Sequence, residues 1–386
     1  MKICIDVSAA VHRRAGLGRY THELVRALVA QGEHEYVAFY HQRGQARLDP
    51  PIDSLPQLTT RLSVKPWRLT AMLAHFSNAP QDRLFRDVDV FHATEHLLPR
   101  LHRIRSVFTL HDLIFRFDPG SHLPLNRIYL NTMMPRFLRA ADAIIAVSEC
   151  SQRDAMRLYG TPAEKFRVIP EGVDARFKPL ADSVRLNQVR DKYRLPERFV
   201  LFVGTIEPRK NLTTLFEAMA ARRERGLEPW PLVIAGKQGW LYEPILQRIA
   251  DLGLQDAVHL TGFFPDDDLP ALYSAATLLA MPSRYEGFGL PVLEAMACGV
   301  PVVSSSTSSL PEVAGDAALL VPPDDVSGWA DAITRVWNDA SLRGQLRERG
   351  RAQAARFTWE NAAQQTSEVY RQITAQTPGK PARPLF

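Results

Sequence analysis

Short apolar runs alternate with longer segments of helical periodicity along most of the 386-residue chain. KICIDV is followed by the helix-like GRYTHELVRALVAQ, closed by Gly32, and then by EYVAFY, DVDVFHA, RSVFTLHD and ADAIIAVS, the last leading into ECSQRDAMRLYG. After FRVIPEGVD the pattern breaks: ARFKPLADSVRLNQVRDKYRLPE is polar and punctuated by prolines, as an interdomain connection would be. Alternation then restarts with RFVLFVG, NLTTLFEAMAARRE, WPLVIAG, YEPILQRIADLG, AVHLTG, DDLPALYSAA, TLLAMPS, LPVLEAMACG, VPVVSSS, AALLVPP and SGWADAITRVWND. Strands interleaved with helices predict parallel sheets covered on both faces, so the chain reads as two doubly wound α/β domains in tandem. The expected units are 1–172, a linker at 173–197 and a second domain at 198–356. A final helical pattern follows at 357–374, and 375–386 has the proline and lysine content of an untethered end.

Open parallel sheets bind ligands beyond the carboxyl ends of their strands, so the informative residues should lie on strand-to-helix loops. In the first half these loops carry Gly16 and Gly18 ahead of a helix, His111 with Asp112, and Ser148. In the second half they carry Gly204 in FVGT, Arg209 with Lys210, Gly236 with Lys237 and Trp240, Gly262 with Phe263, and the stretch RYEGFGLPVLEAMACGVPVV. That last stretch is a loop feeding a helix start. Pro291 suits the first helical turn, Gly287 and Gly289 let backbone approach a ligand, and Glu286 and Glu294 stand eight positions apart. A helix start attracts phosphate, whereas ionised carboxylates accept from hydroxyls, so the stretch suits a phosphorylated polyol. Arg209 and Lys210 adjoin another helix N-terminus, where cations are unfavourable unless an anion joins them.

Other patterns carry less. The first glycine of GLG lies too far beyond the strand for a dinucleotide fingerprint, which argues against nicotinamide or flavin chemistry. His92 and His96 fall on strand and loop, so their spacing is not a helical metal pair. Asp266, Asp267 and Asp268 precede a helix and read as a cap and dipole device. KPWRLTAMLAHF sets Trp67, Leu69, Met72, Leu73 and Phe76 near one helical face beside Lys65 and Arg68, a pattern of core or, less commonly, of a membrane surface.

Bulk properties narrow the classes. The length suits two or three domains, and 23% charged with 46% hydrophobic residues is ordinary for a globular protein. The apolar run at the N-terminus is too short for a secretory signal, so a cytoplasmic location is expected. Cys4, Cys150 and Cys298 are scattered and read as buried thiols. The net charge of +5 lies entirely in residues 1–175, with 23 Lys+Arg against 18 Asp+Glu, leaving 24 against 24 in the remainder. Such an excess fits an anionic membrane surface or substrate, or mere solubility; it is too small, and too poor in interleaved aromatics, for a nucleic-acid module.

Taken in order, the glycine loop, HD, VIPEGVD, FVGTIEPRKN, LVIAGKQGW, SRYEGFGLPVLEAMACGVPVV and TWE give nearly the whole chain a resemblance to the retaining nucleotide-sugar glycosyltransferases of family 4, with the GT-B fold. The resemblance implies two Rossmann-like domains facing a cleft, the first (1–172) binding the acceptor and the second (198–356) the nucleotide-sugar donor, with the last helix crossing back to the first domain. It implies a hexosyltransferase needing neither metal nor cofactor, using a nucleotide-diphosphate sugar and a glycan or lipid-linked glycan acceptor. By that resemblance Glu294 holds the donor ribose, Glu286 a sugar hydroxyl, and Gly287, Phe288, Gly289 and Leu290 the sugar and diphosphate. Arg209 and Lys210 neutralise the diphosphate, Gly16 and Gly18 approach it from the first domain, and Gly204, Gly262 and Phe263 complete the donor side. His111 lies beside the sugar. VGTIEPRKN looks most like members that use a GDP-linked mannose or related deoxyhexose, and Glu171 departs from the Asn found in many members. A nucleotide-sugar 2-epimerase, a sugar phosphorylase and an inactive nucleotide-sugar-binding subunit are the competing expectations.

Overall fold

The computed structural model describes residues 1–42, 44, 46–118, 120 and 123–375; the expected untethered end beyond 375 lies outside the described residues. Thirteen strands form two wholly parallel sheets. The first contains β1 (Lys2–Asp6), β2 (Glu35–Tyr40), β3 (Gln57–Thr59), β4 (Val90–Ala93), β5 (Arg105–Leu110), β6 (Ala143–Ala146) and β7 (Phe166–Val168), in the order β3-β2-β1-β4-β5-β6-β7. The second contains β8 (Val200–Val203), β9 (Leu232–Ala235), β10 (Val258–Gly262), β11 (Leu278–Met281), β12 (Val302–Ser305) and β13 (Ala318–Val321), in the order β10-β9-β8-β11-β12-β13. The central strands are apolar and buried throughout, as strands covered by helices on both faces must be. This is the GT-B arrangement that the alternation and the motifs predict.

Two glycine contacts show how the parts meet. A Cβ on Gly172, just past β7, would stand 2.3 Å from the backbone nitrogen of Trp359, so only glycine lets the chain pass beneath the last helix, Trp359–Ala375. That helix packs on the first-lobe helix Ala15–Gln31, with the Tyr370 hydroxyl hydrogen-bonded to His92 Nδ1 at 2.6 Å. A Cβ on Gly287 of the second lobe would lie 2.4 Å from the His111 carbonyl oxygen of the first, so the carboxyl edges of the two sheets face each other in contact.

Two helices carry no clear signal in the sequence, and one expected face does not form. The polar connection contains an α-helix, Ser183–Tyr193, whose N-terminus is capped by Asp182, accepting from Val184 and Arg185 N–H. Its weak amphipathicity reflects the single buried helical residue, Val189. Helix Pro124–Ala140 escapes the periodicity because Leu125 and Ile128 point to solvent and Pro135 interrupts it. In helix Val64–Ser77 the apolar positions do not share a face: Trp67, Ala71 and Ala74 are buried, whereas Leu69, Leu73 and Phe76 are exposed. The three thiols are free and buried as expected.

Candidate active site

In an open α/β sheet, strand order reverses at one point, and the loops that diverge there leave a crevice. In the second sheet that point lies between β8 and β11. Arg209 and Lys210 come from the short 3-10 turn Pro208–Lys210 after β8, and Glu286 from the loop after β11. Arg209 Nη1 donates to Glu286 Oε2 at 2.7 Å and Lys210 Nζ to Oε1 at 2.6 Å. Burial alone would raise the Glu286 carboxyl, but the two cations outweigh it and hold it down to about 2. Lys210 moves the other way: burial, then repulsion from Arg209, keep its ammonium below the ordinary lysine value despite Glu286. Lys210 is buried and Arg209 has 24% of its side chain exposed. Glu207 also pairs with Arg209. Two cations thus meet two carboxylates, and an incoming anion would compete with Glu286 and Glu207 for the same donors.

Glu294 stands one turn into helix Leu290–Ala297, whose first turn carries Pro291 and whose N-cap is Gly289 at φ 120°. It is 2% exposed and takes a hydrogen bond from the Tyr273 hydroxyl at 2.7 Å and an ion pair from Arg19 of the first lobe. Burial raises the Glu294 carboxyl above its ordinary value, and Arg19 is the strongest influence in the opposite direction. Arg19 also reaches Asp266 at 2.8 Å. Sequence reasoning misses Arg19 and Tyr273. Arg19 lies one turn into helix Ala15–Gln31, which itself contains GLG, so no helix-end signal marks it.

His111 follows β5 and is 5% exposed. Its Nε2 donates to the Thr94 carbonyl at 2.9 Å, Nδ1 lies 3.6 Å from Glu171 Oε1, and Tyr20 packs edge-on against the ring. On the second-lobe side, the Ser309 hydroxyl lies 2.9 Å from the Glu286 carbonyl and 2.7 Å from that of Phe288, bracing the EGFG loop, while Ser308 Oγ accepts the Glu286 N–H. Phe288 is buried against Phe357, and Leu290 opens the helix. Two further contacts join the lobes beside this loop. Tyr285 donates to Asp154 at 2.6 Å, and Glu312 accepts from the Glu149 and Cys150 N–H groups at 2.8 Å each.

The remaining predicted positions behave differently. The Gly18 N–H is already bonded to the Arg14 carbonyl, and a Cβ there would come 2.9 Å from the Ala9 carbonyl. Gly18 therefore serves the packing of helix Ala15–Gln31 on Ser8–Val11 and has no N–H to offer a phosphate. Gly16, by contrast, is exposed with open space around it. Gly204 has φ 153°, and a Cβ there would lie 3.5 Å from Lys210 Cε, an ordinary contact. Gly262 ends β10 at φ 70°, and Phe263 beyond it is 73% exposed. The aspartate run is not a capping device: Asp268 makes no side-chain cap and binds Arg185, Lys192 and Tyr193, while Asp266 pairs with Arg19 and Arg176. Among the described residues no group of three His, Cys, Asp or Glu side chains is placed to hold a metal ion.

Two family models match the chain: Glycosyltransferase Family 4 over residues 14–177, and Glycosyl transferases group 1 over 187–353. O-antigen chain mannosyltransferase B of Escherichia coli is 34% identical over 390 residues, covering 96% of this chain and all of that one. The chain belongs to glycosyltransferase family 4. Solved structures of like fold include sucrose-phosphate synthase from Thermosynechococcus elongatus, at a TM-score of 0.77, 24% identity and 98% and 100% coverage. Another is Anabaena HepE in complex with UDP-glucose, at 0.71, 21%, and 96% and 100%. This family 4 glycosyltransferase is a hexosyltransferase, and the loop that carries Glu286 meets the His111 carbonyl across the cleft at Gly287.

Proposed function

We propose that the enzyme transfers mannose, with retention, from GDP-mannose to the end of a growing lipid-linked polysaccharide. The observation that carries the donor placement is the pair of cations, Arg209 and the buried Lys210, converging on Glu286 at the β8/β11 switch point. Breaking a sugar–diphosphate bond builds negative charge on the leaving group, and fixed cations aimed at that charge lower the barrier without reorganising. The ribose diol takes Glu294 and the sugar lies against Glu286 and the 287–290 backbone, with His111 on its other side. Gly16 meets the diphosphate from the first lobe, and Gly262 and Phe263 lie towards the base. Glu286 is already bound to two cations, which makes it a poor nucleophile. Front-face displacement, with the departing diphosphate taking the acceptor proton, therefore suits the site better than a covalent glycosyl-enzyme. The mannosyl assignment rests on the VGTIEPRKN wording and on the O-antigen mannosyltransferase relative.

A membrane-bound acceptor is favoured by the surface of two adjacent first-lobe helices. Leu69, Leu73 and Phe76 of one, and Leu125 and Ile128 of the other with neighbouring Leu123, are all exposed. Arg68 bonds to Asn126 and Arg136 lies 4.2 Å over Phe76, so cations frame the same apolar face. An anionic leaflet offers both the charge and the apolar depth such a face needs. No helix among the described residues is long and apolar enough to cross a membrane.

A thermal-shift panel of GDP-, UDP-, ADP- and dTDP-sugars, followed by product linkage analysis, tests the donor. GDP-mannose should give the largest shift, and a larger shift with another nucleotide sugar would displace it. Arg209→Ala and Lys210→Ala should each lower kcat/KM by about 100-fold, the scale of removing one preorganised charge contact; wild-type turnover in either would remove the diphosphate assignment. Liposome flotation at low salt tests the surface, with Leu125→Asp expected to abolish binding to anionic vesicles.

A further inference from the structure

The first sheet has a switch point of its own, between β1 and β4, and the donor chemistry leaves the side chains there unused. Asp6 ends β1, His41 follows β2 and Glu95 lies just past β4; they are 1%, 1% and 5% exposed. Asp6 Oδ1 accepts the Ser8 N–H at 2.9 Å, but Oδ2 has no partner. Both ring nitrogens of His41 are buried without a hydrogen bond, and Nε2 stops 3.9 Å short of Glu95 Oε1. The guanidinium of Arg14, partly exposed at the surface end of the cluster, is paired with Glu95.

A structural ion-pair cluster would satisfy these atoms, because a buried polar group left unpaired is costly. Here the unsatisfied set comprises one oxygen of the Asp6 carboxyl, which accepts when ionised and donates when protonated, and an imidazole, which offers one donor and one acceptor. Burial and then Glu95 push the Asp6 carboxyl up to about 7, and burial pushes His41 down to about 4, leaving the imidazole neutral. Water or a hydroxylated ligand would complete these bonds; a phosphate would set its charge against two carboxyl groups with a single arginine between them. The cluster also adjoins the reaction centre: Thr94, immediately before Glu95, accepts from His111 through its carbonyl and donates from its hydroxyl to the Asp6 carbonyl.

We propose that Asp6, His41 and Glu95 form the acceptor subsite, and that it binds neighbouring hydroxyls of a neutral sugar rather than a phosphorylated polyol. The sugar enters past the exposed stretch at Arg13–Gly16 and takes the place of Arg14 on Glu95. This inference rests on the placement of the donor sugar beside His111. It assigns the first-lobe switch point to the acceptor, as the second-lobe switch point is assigned to the donor.

Saturation-transfer NMR on the whole enzyme with GDP present tests this directly. The probes are the methyl glycosides of mannose, glucose, galactose and N-acetylglucosamine, set against mannose 6-phosphate and inositol phosphate. At least one neutral glycoside should bind, and Glu95→Gln and His41→Gln should each weaken it by about tenfold or more, the loss from one charged or buried hydrogen-bonding partner. In transfer assays the acceptor KM should rise by a similar factor while the donor KM moves less than about twofold, a split that mere loosening of the fold would not produce. Preference for the sugar phosphates, or a neutral glycoside held equally by wild type and both variants, would overturn the assignment. A wild-type enzyme that no nucleotide sugar stabilises would instead sink the donor reading, and the glycoside arm would still decide the subsite.

Discussion

Glu286→Gln isolates the electrostatics on which the donor site depends. In the wild type this carboxylate faces Arg209 at 2.7 Å and Lys210 at 2.6 Å, inside the fold. Its pKa falls from the ordinary 4.5 to about 2, and each tenfold gain in acidity corresponds to about 1.4 kcal/mol, so the ionised group contributes about 3 kcal/mol to the fold at neutral pH. The amide keeps the shape and removes the charge, leaving Lys210, 6% exposed, without its counter-ion. We expect the second lobe to lose about 3 kcal/mol in urea unfolding followed by tryptophan fluorescence, and its Tm to fall by about 6–12 °C. Trp230 and Trp329 are buried there and report the transition. The sign of the pH dependence follows from the depressed value. The contribution is complete above about 4.5 and is lost as pH falls through about 2, so the gap between wild type and variant should be constant near neutrality and narrow in that acidic window. Added GDP supplies the missing negative charge, so it should raise the Tm of the variant more than that of the wild type. A neutral-pH gap under about 1 kcal/mol, or one that does not narrow on acidification, would refute the view that Arg209 and Lys210 hold Glu286 ionised.

Two other substitutions test the contacts between the lobes. Arg19→Ala removes the strongest influence holding down a Glu294 carboxyl already raised by burial, so the carboxyl should gain its proton more readily. Donor affinity relative to wild type, measured by calorimetry across a pH series, should therefore worsen as pH falls, and a constant ratio would show that Arg19 does not control the ionisation of Glu294. Gly287→Ala places a methyl 2.4 Å from the His111 carbonyl and must hold the lobes apart. Its kcat should fall by about 100-fold, as expected for reactants misplaced by an ångström, while GDP affinity, carried by the second lobe, changes by less than about threefold. Equal losses in both would place the clash within the nucleotide site.

The legible part of this protein is local. Apolar runs such as LVIA and LLAM, separated by helical periods, specify buried parallel strands because alternation and propensity act over a few residues. Candidate ligand-facing residues then follow from the rule that such sheets bind at strand ends, and this picks out Arg209, Lys210, Glu286, Glu294 and His111 without knowledge of any contact. The three-residue edge strand Gln57–Thr59 and the helix Pro124–Ala140 lack that signal, since neither buries a clean apolar face. The aspartates at 266–268 mislead for a related reason: a helix start predicts a cap, whereas the partners that claim Asp268 come from the helix Ser183–Tyr193.

What only the tertiary structure decided is how charges distant in the chain compensate one another. Arg19 and Glu294 are 275 positions apart, and their ion pair exists because helix Ala15–Gln31 of one lobe faces helix Leu290–Ala297 of the other. The unpaired Asp6 and His41 likewise come together only where β1, β2 and β4 lie side by side at the switch point. Residue type and local period determined the strands, the loops and the chemistry available at each strand end. Sheet order and the packing of one lobe on the other determined which of those groups share a crevice, because that depends on burial summed over both lobes and not on neighbours in the chain.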